Sequence, residues 1–102
     1  MIARIWRGWA PQATAGDYQH HYETDVSRHL REIGGFRGAR LLRHDDGQEV
    51  MFTSVTFFTS IDAVQGFAGA DYEQAVVEEA ARRMLSRWDE RVSHHDVAVD
   101  VP

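Results

Sequence analysis

Glu49-Val50-Met51-Phe52-Thr53-Ser54-Val55-Thr56-Phe57-Phe58 is the stretch whose reading settles the architecture. β-Branched and aromatic residues dominate it, and these suit a pleated, half-buried strand. Successive side chains of a strand point to opposite faces. Val50, Phe52, Thr56 and Phe58 therefore share one face, and Met51, Val55 and Phe57 share the other. Both faces are apolar, so the strand needs a covering layer on each side.

The neighbouring sequence supplies one of those layers. Asp45-Asp46-Gly47-Gln48 precedes the strand, and Asp-Gly between strand-like runs marks a hairpin whose other arm is Phe36 to His44. Upstream, residues 2–9 read as a first strand and Ala10-Pro11-Gln12-Ala13-Thr14 as a loop. Tyr18, Tyr22, Val26, His29, Leu30 and Ile33 then form a stripe of helical period from about 16 to 33, stopped by Gly34-Gly35. Downstream, Ser60 reads as an N-cap to a short helix that buries Val64 and Phe67. A longer helix is expected from about Asp71 to Ser86, with Tyr72, Ala75, Val76, Ala80 and Met84 inside, and a last strand from Arg91 to Val99.

The order is β-α-β-β-α-β, an α+β, ferredoxin-like domain over 1–102 with a four-stranded antiparallel sheet. Two helices cover one face of such a sheet. The second apolar face predicts a homodimer packed through its sheet faces; the alternative is a partly exposed sheet with a C-terminal tail folded over it.

Composition narrows the chemistry. The chain has no Cys, no Lys and no Asn, and all 11 basic residues are Arg. No thiolate nucleophile, disulfide framework, Schiff-base lysine or P-loop lysine is possible. A net charge of −5 argues against a nucleic-acid partner. The longest apolar runs fall far short of the roughly 20 residues of a membrane span, and the alternating N-terminus lacks a signal peptide's apolar core. A cytoplasmic protein with no membrane partner is expected.

Trp6, Phe52, Phe58 and Phe67 are placed to line a cavity on the helix side, with Tyr18, Tyr22 and Tyr72 bringing hydroxyls to its mouth. Aromatic walls with a few polar groups suit a small hydrophobic or aromatic molecule, although each ring alone reads equally well as core. Arg4 shares a strand face with Trp6 and can pair with a substrate anion or with a buried carboxylate. Asp17, His21, Asp25 and His29, spaced by four, form one helix ridge that reads as a solvated boundary more readily than as a metal site. His94-His95-Asp96 is a poor metal motif, because adjacent strand residues face opposite ways.

Several segments resemble the antibiotic biosynthesis monooxygenase domain family. They are Ile2-Ala3-Arg4-Ile5-Trp6-Arg7-Gly8, Gly35-Phe36-Arg37-Gly38-Ala39 and Phe67-Ala68-Gly69-Ala70-Asp71-Tyr72. The close, Val92-Ser93-His94-His95-Asp96-Val97, is similar to that family's Val-x-His-Tyr-Glu-Val ending, with His95 at the Tyr place. The resemblance implies a dimeric α/β barrel with one pocket per subunit, and oxygen chemistry without metal or flavin. His94 matches that family's His position and is the candidate base, with Tyr72 as a further acid–base candidate; the alternative is that His94 is a core histidine tethering a backbone carbonyl or a carboxylate at the dimer seam. Departures are clear. The Asn and Trp of quinone-forming members and the Tyr of their next helix fall on Ser54, Phe58 and Val64. No His lies between His44 and His94 to stand for the haem ligand of haem-degrading members, whose strand-one Asn falls on Trp6.

The function so implied is a cofactor-independent monooxygenase acting on a small aromatic or polyketide-like substrate, with no cofactor and no metal. The alternative is a non-catalytic, ligand-binding or structural homodimer of the same fold. An RNA-recognition module shares the element order but lacks its basic-glycine-aromatic strand here.

Overall fold

The computed structural model describes residues 1–102. Strand β1 (Ile2–Pro11) runs directly into helix α1 over 12–31. The expected loop at 10–14 is absent, because Pro11, which cannot donate a helical N–H, ends the strand and precedes the first helical residue, Gln12. β2 (Phe36–Asp46) and β3 (Glu49–Phe58) form the expected hairpin, joined by Gly47 and Gln48. Gly47 has φ +70°, a conformation glycine adopts freely. Then come α2 (Ile61–Ala68), α3 (Glu79–Met84), β4 (Arg87–Trp88) and β5 (Ser93–Asp96). Ser60 caps α2 as anticipated, its Oγ accepting from the Ala63 N–H at 3.2 Å.

The sheet is antiparallel, with order β2-β3-β1 and a fourth place shared by two short strands. β5 pairs with Ile2 to Ile5, and β4 pairs with Gly8 and Trp9. Five strands thus fill the four expected places, and the strand expected from 91 to 99 is confined to Ser93–Asp96.

The helix expected from 71 to 86 is also corrected. Only Glu79–Met84 is helical; Ala81 is its buried residue, and Leu85 is buried just past its end. Residues 73–75 instead run beside 90–92, with Val92 N–H donating to Glu73 and Ala75 N–H to Glu90. In a helix the carbonyls of Tyr72 and Gln74 would accept from residues 76 and 78. Here both accept from the Arg4 guanidinium. A tertiary contact overrides the local helical period.

Helix α1 is not uniform. Its middle turn, Tyr22–Val26, is π-helical between α-helical Gln12–His21 and Ser27–Arg31. In an α-helix, residues four apart drift by about 40° per step. The wider turn takes up this drift and keeps Tyr18, Tyr22, Val26 and Leu30 towards the sheet.

The two faces of β3 differ as its alternation predicts. Val50, Phe52, Ser54, Thr56 and Phe58 are buried under the helices, whereas Met51, Val55 and Phe57 are only half-buried. Ile5 and Trp9 of β1 lie beside them on the same open face. No helix of the chain is long and apolar enough to cross a membrane.

Candidate active site

The buried face of β3 is apolar at its ends and polar in its middle. Val50 and Phe52 join one core cluster with Tyr18, Tyr22, Ala81 and Leu85. Phe58 joins a second with Leu30, Ala63 and Val64. Between them Ser54 and Thr56 stand opposite Trp6 and Arg4 of β1. Over this polar middle lies a small cleft of ≈ 60 Å³ that opens to solvent.

Trp6 forms part of the wall because Gly8 leaves room for it. A Cβ on Gly8 would lie 2.4 Å from the Trp6 ring, so the indole lies along the strand over a residue without a side chain. Its Nε1–H donates to the Asp89 carbonyl at 2.9 Å, which fixes the ring in place. Tyr18, Tyr22 and Phe67 complete the aromatic wall. Phe52 and Phe58, expected in that wall, are fully buried beneath it and belong to the core. Their rings pack against Tyr18 at 5.0 Å and Phe67 at 6.0 Å, respectively.

Arg4 is 4% exposed and has no carboxylate partner. Nη1 donates to the Tyr72 carbonyl and lies 3.1 Å from His94 Nε2, while Nη2 donates to the Gln74 carbonyl at 3.0 Å. The guanidinium also sits over the Phe67 ring at 5.6 Å. Burial lowers its pKa to about 10, so it remains cationic at neutral pH. A buried cation with no anion of its own is attractive to a bound anion.

His94 and Tyr72, the expected acid–base pair, lie behind Arg4 and not on the cleft wall. Their rings meet edge to face at 5.3 Å. Arginine has only donors, so His94 Nε2 accepts and its proton resides on Nδ1. Desolvation, and then the Arg4 charge, hold His94 below the usual histidine range. His94 thereby orients the guanidinium. His95, on the opposite face, meets Ser93 at the surface.

Burial holds both tyrosines neutral. Burial, with the neighbouring Tyr22, pushes Tyr18 far up. Burial also raises Tyr22, against the opposing hydrogen bond between its hydroxyl and Ser54 Oγ at 2.7 Å.

No family model and no curated protein matches the sequence. Solved structures do. A point mutant of SnoaB, a cofactor-independent oxygenase from Streptomyces nogalater, superposes with a TM-score of 0.70 at 14% identity, over 99% of this chain and 96% of that one. MhuD, a heme-degrader from Mycobacterium tuberculosis with two hemes bound in its active site, gives 0.63 at 22% identity over 100% of both chains. Rv0793 from Mycobacterium tuberculosis gives 0.64 at 16% identity over 99% of this chain and 98% of that one. This is the fold of the antibiotic biosynthesis monooxygenase domain.

Within that fold, the residue whose place the sequence pattern undervalued is His21. Asp17, Asp25 and His29 of the ridge stay exposed, as expected of a solvated strip. His21 turns inward and lines the cleft, 5% exposed, whereas His29 packs against Phe67 at 5.4 Å. No group of three His, Asp or Glu side chains converges to hold a metal ion. Ser54 and Thr56 also escaped the sequence reading, although as polar residues on the face of Val50, Phe52 and Phe58 they carried a signal. No signal in the sequence distinguished His21 from its ridge neighbours.

Proposed function

We propose that the protein is a cytoplasmic, cofactor-independent monooxygenase that takes a small aromatic or polyketide-like molecule able to lose a proton. One observation carries this reading: a buried Arg4 without a carboxylate stands at an aromatic-walled cleft. Such a site favours a flat substrate as its anion, held by charge and stacking. The anion passes an electron to O2, and the resulting radicals combine into a peroxide at the reacting carbon. Loss of water from that peroxide leaves a carbonyl. For a CH2 substrate, one oxygen atom enters the product and the other leaves as water with both hydrogens, so no outside reductant is needed.

Oxygen uptake with 1,8-dihydroxyanthrone and with simple quinols tests the reading. One O2 consumed per anthrone, with the quinone as product, is the expected result. Binding of these compounds without uptake would favour the ligand-binding alternative and overturn catalysis.

The half-buried face of Ile5, Trp9, Met51, Val55 and Phe57 supports a homodimer through the sheet faces. Light scattering is expected to give twice the 11.7 kDa chain mass at micromolar concentration. Val55→Glu, which places a charge at the centre of that face, is expected to give a monomer. A wild-type monomer under these conditions would overturn the dimer.

A further inference from the structure

We propose that His21 is the catalytic base of this site and that Asp25 orients it and passes its proton to solvent. The proposal rests on the oxygenase reading above and adds the group that ionises the substrate. Three observations carry it.

The first is the unmatched nitrogen. His21 Nε2 is buried and no protein atom hydrogen-bonds it, and it is the single side-chain nitrogen or oxygen in the chain so placed. Buried polar atoms are nearly always paired, because leaving one unpaired is costly, and a catalytic role is one of the few reasons for an exception.

The second is orientation. His21 Nδ1 lies 3.1 Å from Asp25 Oδ2, one turn along the helix. A carboxylate accepts, so the ring proton belongs on Nδ1 and the lone pair on Nε2 is left free. This is the arrangement of an oriented general base.

The third is position. His21 belongs to the wall of the cleft and also to the wall of a surface groove with Asp17, His20 and Asp25. The Asp25 side chain is 53% exposed in that groove. The imidazole therefore stands between the cleft and the groove, with Nδ1 turned to the exposed Asp25 and Nε2 buried. The π-turn begins at the next residue, Tyr22, and such turns recur at functional sites.

The step is a proton transfer. A C–H or O–H bond of the substrate breaks, its electron pair stays on the substrate, and the proton bonds to His21 Nε2. Asp25 stabilises the imidazolium, and the Nδ1 proton leaves through Asp25 to water. Arg4 holds the anion. His94 cannot take this role while its Nε2 accepts from Arg4.

Anaerobic mixing with 1,8-dihydroxyanthrone isolates the step, because the bound anion is read by absorbance before oxygen enters. His21→Gln is expected to slow ionisation about 100-fold or more, and Asp25→Asn, which still accepts from Nδ1, about 10-fold. Equal ionisation rates in wild type and His21→Gln would overturn this proposal and leave the oxygenase reading standing. A wild type that binds the probe only in neutral form, or not at all, would overturn both. Nitrogen-15 NMR of the wild type needs no variant to fold: the Nδ1–H tautomer at His21 is expected, and an Nε2–H tautomer would overturn the base. Added hemin giving a histidine-ligated absorption band that His21→Gln abolishes would make Nε2 an iron ligand, and would overturn it too.

Discussion

Phe52→Ala should lower the unfolding free energy by about 3–5 kcal/mol, the range for removing a fully buried aromatic ring. Phe52 is 0% exposed and packs against Tyr18 with ring centroids 5.0 Å apart. Opposite it on β1 stands Gly8, which has no side chain to move into the space left behind. The Trp6 indole above Gly8 is tied to the Asp89 carbonyl and cannot follow. The site therefore collapses poorly, and the upper end of the range applies. Domains of this size have about 5–15 kcal/mol in total, and each kcal/mol shifts Tm by about 4–8 °C. A fall of roughly 15 °C or more follows, measured at fixed protein concentration because a dimer's Tm depends on it. Phe67→Ala, at the half-buried cleft wall, should cost less than half as much. Equal losses at the two positions would mean that the cleft wall is as tightly packed as the core.

That contrast between Phe52 and Phe67 bears on what the sequence made legible. Both read as helix-side aromatics, and periodicity cannot tell the ring that forms a wall from the ring beneath it. Alternation along Glu49–Phe58 was legible because a strand has a strict period of two, and a covered face tolerates no slip. The hairpin and the Ser60 cap were legible because each depends on a local residue type. Residues 71–78 were misread for a different reason. Their period suits a helix, yet the carbonyls of Tyr72 and Gln74 go to a guanidinium about 70 positions earlier in the chain, a contact no local window contains. His21 was seen as one of four ridge residues spaced by four. His21 alone turned inward, one turn from the buried Tyr18, and the spacing by four within the ridge did not single it out.

Arg4→Met should lower oxygen uptake with an anthrone by about 10²–10³-fold, the usual cost of deleting a preorganised donor to a developing anion. Methionine matches the length and apolar stem of arginine, so the space is filled and the charge is the main loss. The effect on stability should be far smaller than that of Phe52→Ala, because two terms oppose. Removing the guanidinium leaves the Tyr72 and Gln74 carbonyls without donors, at about 1–3 kcal/mol each if they stay buried. Removal also relieves the desolvation of a charge that has no carboxylate, a penalty of several kcal/mol. Arg4→Lys separates charge from geometry. An ammonium keeps the cation but cannot fork to both carbonyls while meeting His94, so its uptake should fall between wild type and Arg4→Met. His94→Ala should follow the same intermediate pattern, because His94 acts through the orientation of Arg4. If Arg4→Met retains uptake within threefold of wild type, the anion is stabilised from the opposite wall. The imidazolium of His21 would then carry both proton and charge, and the buried arginine would serve only to fasten residues 72–74 to the sheet.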